Sequence, residues 1–366
     1  MSIPSVINGQ FVVGKQIASG AYSTIFQGTN RQTNQTVAIK FELTNIDGAQ
    51  LDREAKALKL TDGTVGVPRA YYFGREGPYN VLFTDQFGLG MGELFETCNR
   101  KLSIKSVCMI ARLMIKRIQA VHEKGVLHRY IRPENFLFGK PESEEANVLH
   151  VIAFGLAKQY RDPETQRHIP YAEELRFFGS APFMSINAHL GRQQSRRDDL
   201  ESIGYVLIYL LLGTLPWMEC SSPDTCVQVT YSRVLEKMQK TASISDLCTG
   251  FPYQFASYID HCRRLGFEED PDYDFLFDLF TNALQDNGMV DDNVYDWDII
   301  GQDATVSRDF FSSKLVLTIL VDLRLFADGM LSLFLSPLSL VTIVHCRGST
   351  INWMVLLPAS RVLLML

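Results

Sequence analysis

The stretch from Val126 to Gly139, VLHRYIRPENFLFG, places several polar side chains on one short loop between apolar runs. Arg132 is a cation that can grip a phosphate group, and Asn135 is an amide that can bind a metal ion. Residue 130 is a tyrosine. A phenol is a poor general base at neutral pH because it keeps its proton. The loop therefore has parts of a phosphate-handling site but offers no carboxylate at position 130.

The chain before this loop is rich in short β-type runs. FVVGKQIASG, STIFQGTN and TVAIKFEL are each bounded by Gly or Asn, and YNVLFTDQFG is a fourth run. Between the third and fourth runs, AQLDREAKALKL repeats apolar residues at helical spacing. We predict a small antiparallel sheet lobe with one helix over residues 9–86, which a short connection near residues 85–88 joins to a second lobe.

Long helical patterns dominate after that connection. IKSVCMIARLMIKRIQAVHEKG and RRDDLESIGYVLIYLLLG each end at a glycine, as helices often do. We predict a larger, mainly α-helical lobe over residues 87–301. The fold class is therefore α+β with two lobes.

A lysine and a glutamate in the sheet lobe form a second candidate pair. Lys40 lies in the run VAIK, and Glu54 lies in the helix fourteen residues further on, where a carboxylate could orient the lysine towards phosphates. Gly20, in the hairpin before them, could let backbone approach a phosphate closely. Each of these features is weak alone, because such a pair is usually a surface salt bridge. Their order, followed by the loop at 126–139, favours a functional role.

The chain resembles the protein kinases, and specifically the casein kinase 1 family of Ser/Thr kinases. The resemblance covers Phe11 to Ile300, and Ser185 to Asn187 is its most specific part because this family has that motif where most kinases carry Ala-Pro-Glu. The other stretches that carry it are HRYIRPENFL, FGLAKQYRD, HIPY, SINAHLG followed by QSRRDDLES, LPW, and FEEDPDY. The resemblance implies a bilobal protein-kinase fold.

The resemblance also implies an ATP site. A purine pocket would be lined by Ile17, Ile25, Ala38, Leu137 and Ile152. Further residues would be Thr84 as gatekeeper, the backbone of Asp85 and Phe87 as hinge, Lys40 with Glu54 as the phosphate-orienting pair, Asp199 as a brace of the catalytic loop, and Arg132 and Asn135 on that loop.

Three positions depart from the family pattern. Tyr130 replaces the aspartate that serves as base, Ala153 replaces the aspartate that binds magnesium, and Pro182 replaces an arginine that binds phosphorylated or acidic substrate. Glu134, Glu144 and Glu145 lie near these positions, but nothing in the sequence directs them at a metal. We expect a pseudokinase with impaired phosphoryl transfer, weak ATP binding and weak or no magnesium binding, acting as a protein-binding module. The alternative is an active but slow Ser/Thr kinase that transfers the ATP γ-phosphate to acidic or primed proteins.

The overall composition limits the partners and the compartment. The chain has 366 residues and a net charge of −6, so it has no global basic field for nucleic acid. The seven cysteines form no CxxC pair, and the N-terminus has no secretory signal pattern. We expect protein substrates or scaffolding partners, a monomer, and a cytoplasmic location with the nucleus as an alternative.

The last part of the chain, residues 302–366, has a different character. It is strongly apolar and has no amphipathic pattern, and the sequence does not determine whether it is structurally ordered. Membrane contact is possible but not favoured, because Pro337 and several serines interrupt its longest uncharged stretch. The other interpretations are a segment packed on the body, a poorly ordered one, or the product of a retained intron.

Overall fold

The structure is a computed structural model that describes residues 3–20, 23–45, 49–173, 178–218, 234–236, 238 and 244–303. From residue 304 onward, the apolar C-terminal segment lies outside the described residues. Within the described part of the chain, no helix is both long and apolar enough to cross a membrane.

The sheet lobe is one six-stranded antiparallel sheet with a helix on it. In space the strands follow the order β1-β2-β3-β4-β6-β5. The elements are β1 (Val6–Ile7), β2 (Phe11–Ser19), β3 (Ser23–Asn30), β4 (Thr36–Leu43), α1 (Leu51–Leu60), β5 (Ala70–Glu76) and β6 (Tyr79–Asp85). The sheet thus begins before residue 9, where the sequence placed the start of the domain, because a two-residue strand leaves no readable pattern.

Strand β4 explains how this lobe positions the site. Successive side chains of a strand point to opposite faces. Val37, Ile39 and Phe41 belong to a small hydrophobic cluster on one face of the sheet. On the other face, Lys40 pairs with the helix residue Glu54. Strand β4 is therefore a continuous run of buried residues, although one face packs in a hydrophobic cluster and the other face carries the ion pair.

The second lobe is mainly helical within the described residues. Its elements are α2 (Met91–Thr97), α3 (Ile104–Glu123), β7 (Val126–Leu127), β8 (Phe136–Phe138), β9 (Leu149–Val151), β10 (Lys158–Gln159), α4 (Ile186–His189), α5 (Arg196–Leu212), α6 (Ile244–Leu247), α7 (Tyr253–Arg264), α8 (Tyr273–Asp286) and α9 (Asp296–Asp303). Strand β8 pairs with β9, and β7 pairs with β10. The predicted α+β fold with a sheet lobe and a helical lobe is confirmed.

Helix α5 is the central helix of this lobe. At its start the Asp198 carboxylate accepts the N–H of Ser195 at 2.7 Å, and at its end Gly213 takes the left-handed conformation, with φ of 86°. Almost all of its residues are buried, which is typical of a helix that packs on every side. It contacts α3 and α7, and its first turn carries Asp199 beneath the loop at 126–139. The fold thus places a buried carboxylate directly under that loop.

Candidate active site

Lys40 and Glu54 meet between the sheet and helix α1. Their side chains form an ion pair, and both residues are less than a tenth exposed. A buried ion pair is costly to break by removing one partner, because the other charge stays buried. Thirteen residues separate the two in sequence, and they meet because α1, whose buried residues include Leu51 and Leu58, packs against β5 and β6 of the same sheet.

The residues predicted to line a purine pocket lie on several strands. Ala38 on β4 stands directly opposite Thr84 on β6, and Ile25 on β3 stands opposite Lys40. The remaining members are half-buried: Ile17 on β2, Leu137 on β8, which bridges to Gly90, and Ile152 just after β9. Ala38 has the smallest side chain of this set, and both it and Thr84 are buried.

Gly20 directly follows strand β2. Its N–H donates to the carbonyl of Ser23 at 2.8 Å. A Cβ at this position would lie 3.6 Å from that oxygen, which is ordinary contact. The local backbone therefore does not itself require glycine here.

The connection between the lobes begins at Asp85. Its carboxylate accepts hydrogen bonds from the N–H of Arg69 at 2.8 Å and the hydroxyl of Tyr71 at 2.5 Å. Burial, together with this carboxylate, raises the pKa of Tyr71 to about 12. The ring of Phe87 stacks on His150 with centroids 4.0 Å apart. Both predicted hinge residues thus have their side chains held by protein groups.

Asp199 holds the loop at 126–139 from below. Its carboxylate accepts the backbone N–H groups of His128 at 2.8 Å and Arg129 at 2.7 Å, and the ring Nε2–H of His122 at 2.9 Å. Burial alone would raise the pKa of Asp199, but the hydrogen bonds from His122 and His128 outweigh it and lower the pKa. The carboxylate stays charged and fixes the start of the loop.

His128 is neutral in this arrangement. Burial lowers its pKa. Its Nε2 lies 2.8 Å from the carbonyl of Ile152, which can only accept, so Nε2 carries the proton. Its Nδ1 accepts the N–H of Tyr130 at 3.2 Å. One ring therefore joins the loop to the segment that contains Ala153.

Tyr130 occupies the loop position predicted to lack a base. Its hydroxyl accepts from Arg132 at 3.3 Å, and its carbonyl accepts from the amide of Asn135 at 2.6 Å. Arg132 also donates to Glu134 at 2.6 Å. The loop cation is thus engaged by a phenol and a carboxylate of its own loop.

Ala153 takes the left-handed backbone conformation, with φ of 67° and ψ of 59°. This conformation is uncommon for residues other than Gly, Asn and Asp. The residues after it are held in place, since Phe154 is fully buried and the carbonyl of Gly155 accepts from Arg53 at 3.1 Å. The turn at Ala153 thus has a backbone conformation that suits Asp or Asn, while its side chain is a methyl group.

Comparisons with known proteins agree with this geometry. The model of the protein kinase domain matches residues 11–274. Curated relatives include casein kinase I homolog 2 of Schizosaccharomyces pombe, 47% identical over 293 residues, which are 80% of this chain and 67% of that protein. This chain belongs to the casein kinase 1 family of protein kinases.

Two further members show how the lengths compare. Casein kinase I homolog 1 of S. pombe is 44% identical over 296 residues, which are 81% of this chain and 66% of that protein. Casein kinase I homolog 1 of Saccharomyces cerevisiae is 43% identical over 293 residues, 80% of this chain and 54% of that protein. The chain thus spans between about half and two thirds of the length of these casein kinase 1 relatives.

Protein kinases as a family use ATP and magnesium, and the residues of this casein kinase 1 site fit the two unequally. For a nucleotide, the Lys40–Glu54 pair is formed, and Ala38 and Thr84 stand opposite each other on adjacent strands. For a metal, Asn135 keeps an amide oxygen, whereas Ala153 offers no oxygen from its side chain. Glu134 pairs with Arg132 and Glu145 with His150, so neither replaces the missing ligand. Of the two side chains that the resemblance assigns to magnesium, Asn135 is present and position 153 has no oxygen ligand.

Pro182, the third departure from the casein kinase 1 pattern, is held through its backbone. Its carbonyl accepts from the indole N–H of Trp217 at 2.7 Å. Ser185, three residues on, caps helix α4 and donates to Asp198 at 2.5 Å. The hydrogen bond from Ser185 to Asp198 therefore holds the family motif at Ser185 to Asn187 against helix α5.

Sequence reasoning missed three residues that hold the casein kinase 1 site together. Glu42 accepts the first N–H groups of α1, Arg53 holds the carbonyl of Gly155, and Tyr273 lies 2.7 Å from Nδ1 of His122. For Glu42 a signal existed, because a charged residue two positions after Lys40 must share its face of the strand. The other two depend on contacts between distant elements, which spacing along one chain does not give.

Proposed function

We propose that this casein kinase 1 family chain is a nucleotide-binding pseudokinase whose phosphoryl transfer is impaired and which acts as a protein-binding module. The observation that carries this proposal is the pair of replacements at Tyr130 and Ala153. In the family pattern these two positions supply the base that orients the substrate hydroxyl and the main magnesium ligand.

The expected size of the two losses favours a strongly impaired phosphoryl transfer over a slightly slower one. General-base assistance contributes roughly 10²- to 10⁴-fold to a rate, and metal stabilisation of the transferring phosphate contributes several kcal/mol. Such effects are not additive. Kinases typically turn over roughly 1 to 100 times per second, and losses of this size would leave little phosphoryl transfer.

ATP binding is supported by the parts that remain. Lys40 is paired with Glu54, so its ammonium is fixed beside the strands of the predicted purine pocket. Arg132 supplies a second cation for phosphate, although Glu134 competes for it. We expect binding to be weak and to depend little on magnesium.

An active Ser/Thr kinase that acts on acidic or primed proteins is the second candidate. It is favoured by the relatives, which are curated as casein kinase I homologs at 40–47% identity. The Lys40–Glu54 pair and Asn135 would serve such an enzyme as well. Protein substrates or scaffolding partners are expected for either candidate, and a cytoplasmic or nuclear location stays a prediction from the sequence.

The test is a thermal-shift titration of the full chain with ATP alone, ATP with magnesium and ATP with manganese. A ligand that binds only the folded form raises the melting temperature by mass action. We expect a small shift with ATP that metals do not enlarge. No shift under any condition would remove the nucleotide-binding part of the proposal.

Transfer of labelled phosphate to casein separates the two candidates. We expect no metal-dependent labelling above that of the Lys40→Met variant. Labelling that needs a metal and is lost in Lys40→Met would establish the active kinase instead.

A further inference from the structure

Glu42 is a buried charged residue that none of the roles assigned to the candidate nucleotide site includes. It lies on β4, two residues after Lys40, and is only 1% exposed. Its carboxylate accepts the N–H of Gln50 at 2.6 Å and the N–H of Leu51 at 3.1 and 3.2 Å. A charge this deeply buried is tolerated only when it is hydrogen-bonded, so these contacts are required.

The partners of Glu42 are the first N–H groups of helix α1. The N–H groups of a first helical turn have no acceptor inside the helix. Gln50, the N-cap residue, makes no capping hydrogen bond with its own side chain. Glu42 supplies the missing acceptor from a strand, and its negative charge also suits the positive end of the helix dipole.

Strand β4 therefore holds helix α1 at two points. Glu42 binds its N-terminus, and Lys40 binds Glu54 one turn further along. Residues 40 and 42 share one face of the strand, so the cation and the anion form a rigid pair of anchors. Since α1 carries Glu54, any movement of its N-terminus would move the carboxylate that pairs with Lys40.

We propose that Glu42 is a positioning residue, which caps helix α1 from strand β4 and so keeps Glu54 in contact with Lys40. The inference rests on the proposed nucleotide-binding function only in its consequence for ATP. The Lys40–Glu54 contact itself can be measured without any nucleotide.

The experiment compares the full-length chain with its Glu42→Gln variant. A small amine-specific acylating reagent is added, and mass spectrometry follows the rate at which Lys40 is modified. In the wild type the ion pair protects the buried Nζ. In Glu42→Gln the carboxylate charge is lost and α1 is held less firmly, so we expect Lys40 to react about tenfold faster.

Two variants control for charge and for stability. Asp52→Asn removes an exposed carboxylate from the same helix turn without touching β4, and we expect no change at Lys40. Ile7→Ala opens the small hydrophobic cluster on the far side of the sheet and lowers the melting temperature without touching α1. If Glu42→Gln raises Lys40 modification no more than Ile7→Ala does, Glu42 contributes only to general stability and the proposal is wrong.

Glu42→Asp keeps the experiment decisive if Glu42→Gln fails to fold. Its side chain is one methylene shorter, so we expect Lys40 to react at an intermediate rate, and an unchanged rate would contradict the proposal.

ATP titration of the same variants separates the role of Glu42 from the proposed nucleotide-binding function. If the wild type does not bind ATP, the proposed function fails, while faster Lys40 modification in Glu42→Gln still establishes the role of Glu42.

Discussion

At the scale of single residues, Ala153 keeps a backbone conformation that suits another side chain. Its φ of 67° costs an alanine roughly 1–2 kcal/mol, whereas Asp and Asn tolerate it because their short side chains hydrogen-bond locally. The surrounding contacts of Phe154 and Gly155 hold the turn in this form. The turn thus has a backbone conformation in which an aspartate would be less strained than the alanine.

Restoring both carboxylates should restore catalysis. In the Tyr130→Asp, Ala153→Asp double variant, a base faces the substrate and an oxygen ligand is available for magnesium. Removing the phenol also frees Arg132 from one of its contacts. We expect magnesium-dependent labelling of casein to rise about 10²-fold or more over the unaltered chain.

Each single variant should gain little, because these residues act as a unit. Adding Lys40→Met to the double variant should abolish the gain, which ties the activity to this site. A folded double variant that binds ATP but labels no protein would show that the impairment lies elsewhere.

Asp198, beside the site, should make stability depend on pH. Burial raises its pKa to about 7 from an ordinary value of 3.8. The folded protein therefore holds a proton that the unfolded chain releases, so stability falls as pH rises from 4 to 7 and changes no further above that. His189, whose pKa burial lowers to about 4, acts in the opposite direction below pH 6.5.

The comparison of wild type with Asp198→Asn isolates this carboxylate. Relative to the variant, the wild type should lose about 2 kcal/mol of stability between pH 5 and pH 7.5, measured by urea unfolding. Asp260→Asn, at a half-exposed position on α7, should show no such change. Parallel pH profiles for wild type and Asp198→Asn would mean that Asp198 is ionised throughout.

At the scale of elements, periodicity predicted the parts that carry the site but not how they are joined. The helical spacing of Leu51 and Leu58 indicated α1, and the buried run around Lys40 indicated β4. The cap that Glu42 gives to α1, and the stacking of Phe87 on His150, bring together residues that are apart in sequence. Such contacts depend on packing in three dimensions, which a linear pattern does not contain.

The hydrogen bonds that connect helix α8 with the loop at 126–139 can be tested at Tyr273. This tyrosine begins α8, and its hydroxyl donates to Nδ1 of His122, whose Nε2 donates in turn to Asp199. Burial raises the pKa of Tyr273, so it remains a donor. Tyr273→Phe leaves a buried ring nitrogen without its partner and should lower the free energy of unfolding by about 1–2 kcal/mol.

Tyr253→Phe makes the same chemical change at the start of α7, where the side chain is exposed, and should alter stability by less than about 0.5 kcal/mol. Urea unfolding measures both variants. Equal stabilities for Tyr273→Phe and Tyr253→Phe would show that the hydroxyl of Tyr273 does not support His122.

At the scale of the whole molecule, the two lobes predicted from the sequence do not coincide with the two largest hydrophobic clusters of the described residues. A small cluster that includes Phe11, Phe41 and Phe83 covers one face of the sheet. The large cluster fills the helical lobe but also takes in Leu58 of α1 and Leu82 of β6. Sequence patterns place residues in lobes, whereas cluster membership depends on which face of the sheet each strand residue occupies.

This division predicts that part of the sheet lobe opens independently, and native-state hydrogen exchange can detect it. Phe83 packs edge-on against Phe11 with centroids 4.7 Å apart, so Phe83→Leu should weaken the small cluster by about 1–3 kcal/mol. Amides of β2 and β3 should then exchange roughly tenfold faster, because local opening follows local stability. Amides of α1, α3 and α5 should keep their protection, since these helices belong to the large cluster.

Ile208→Val, in the buried face of α5, is the matched change in the large cluster and should speed exchange in α3 and α5 instead. Equal acceleration of all these amides in Phe83→Leu would show that the two clusters unfold as one unit.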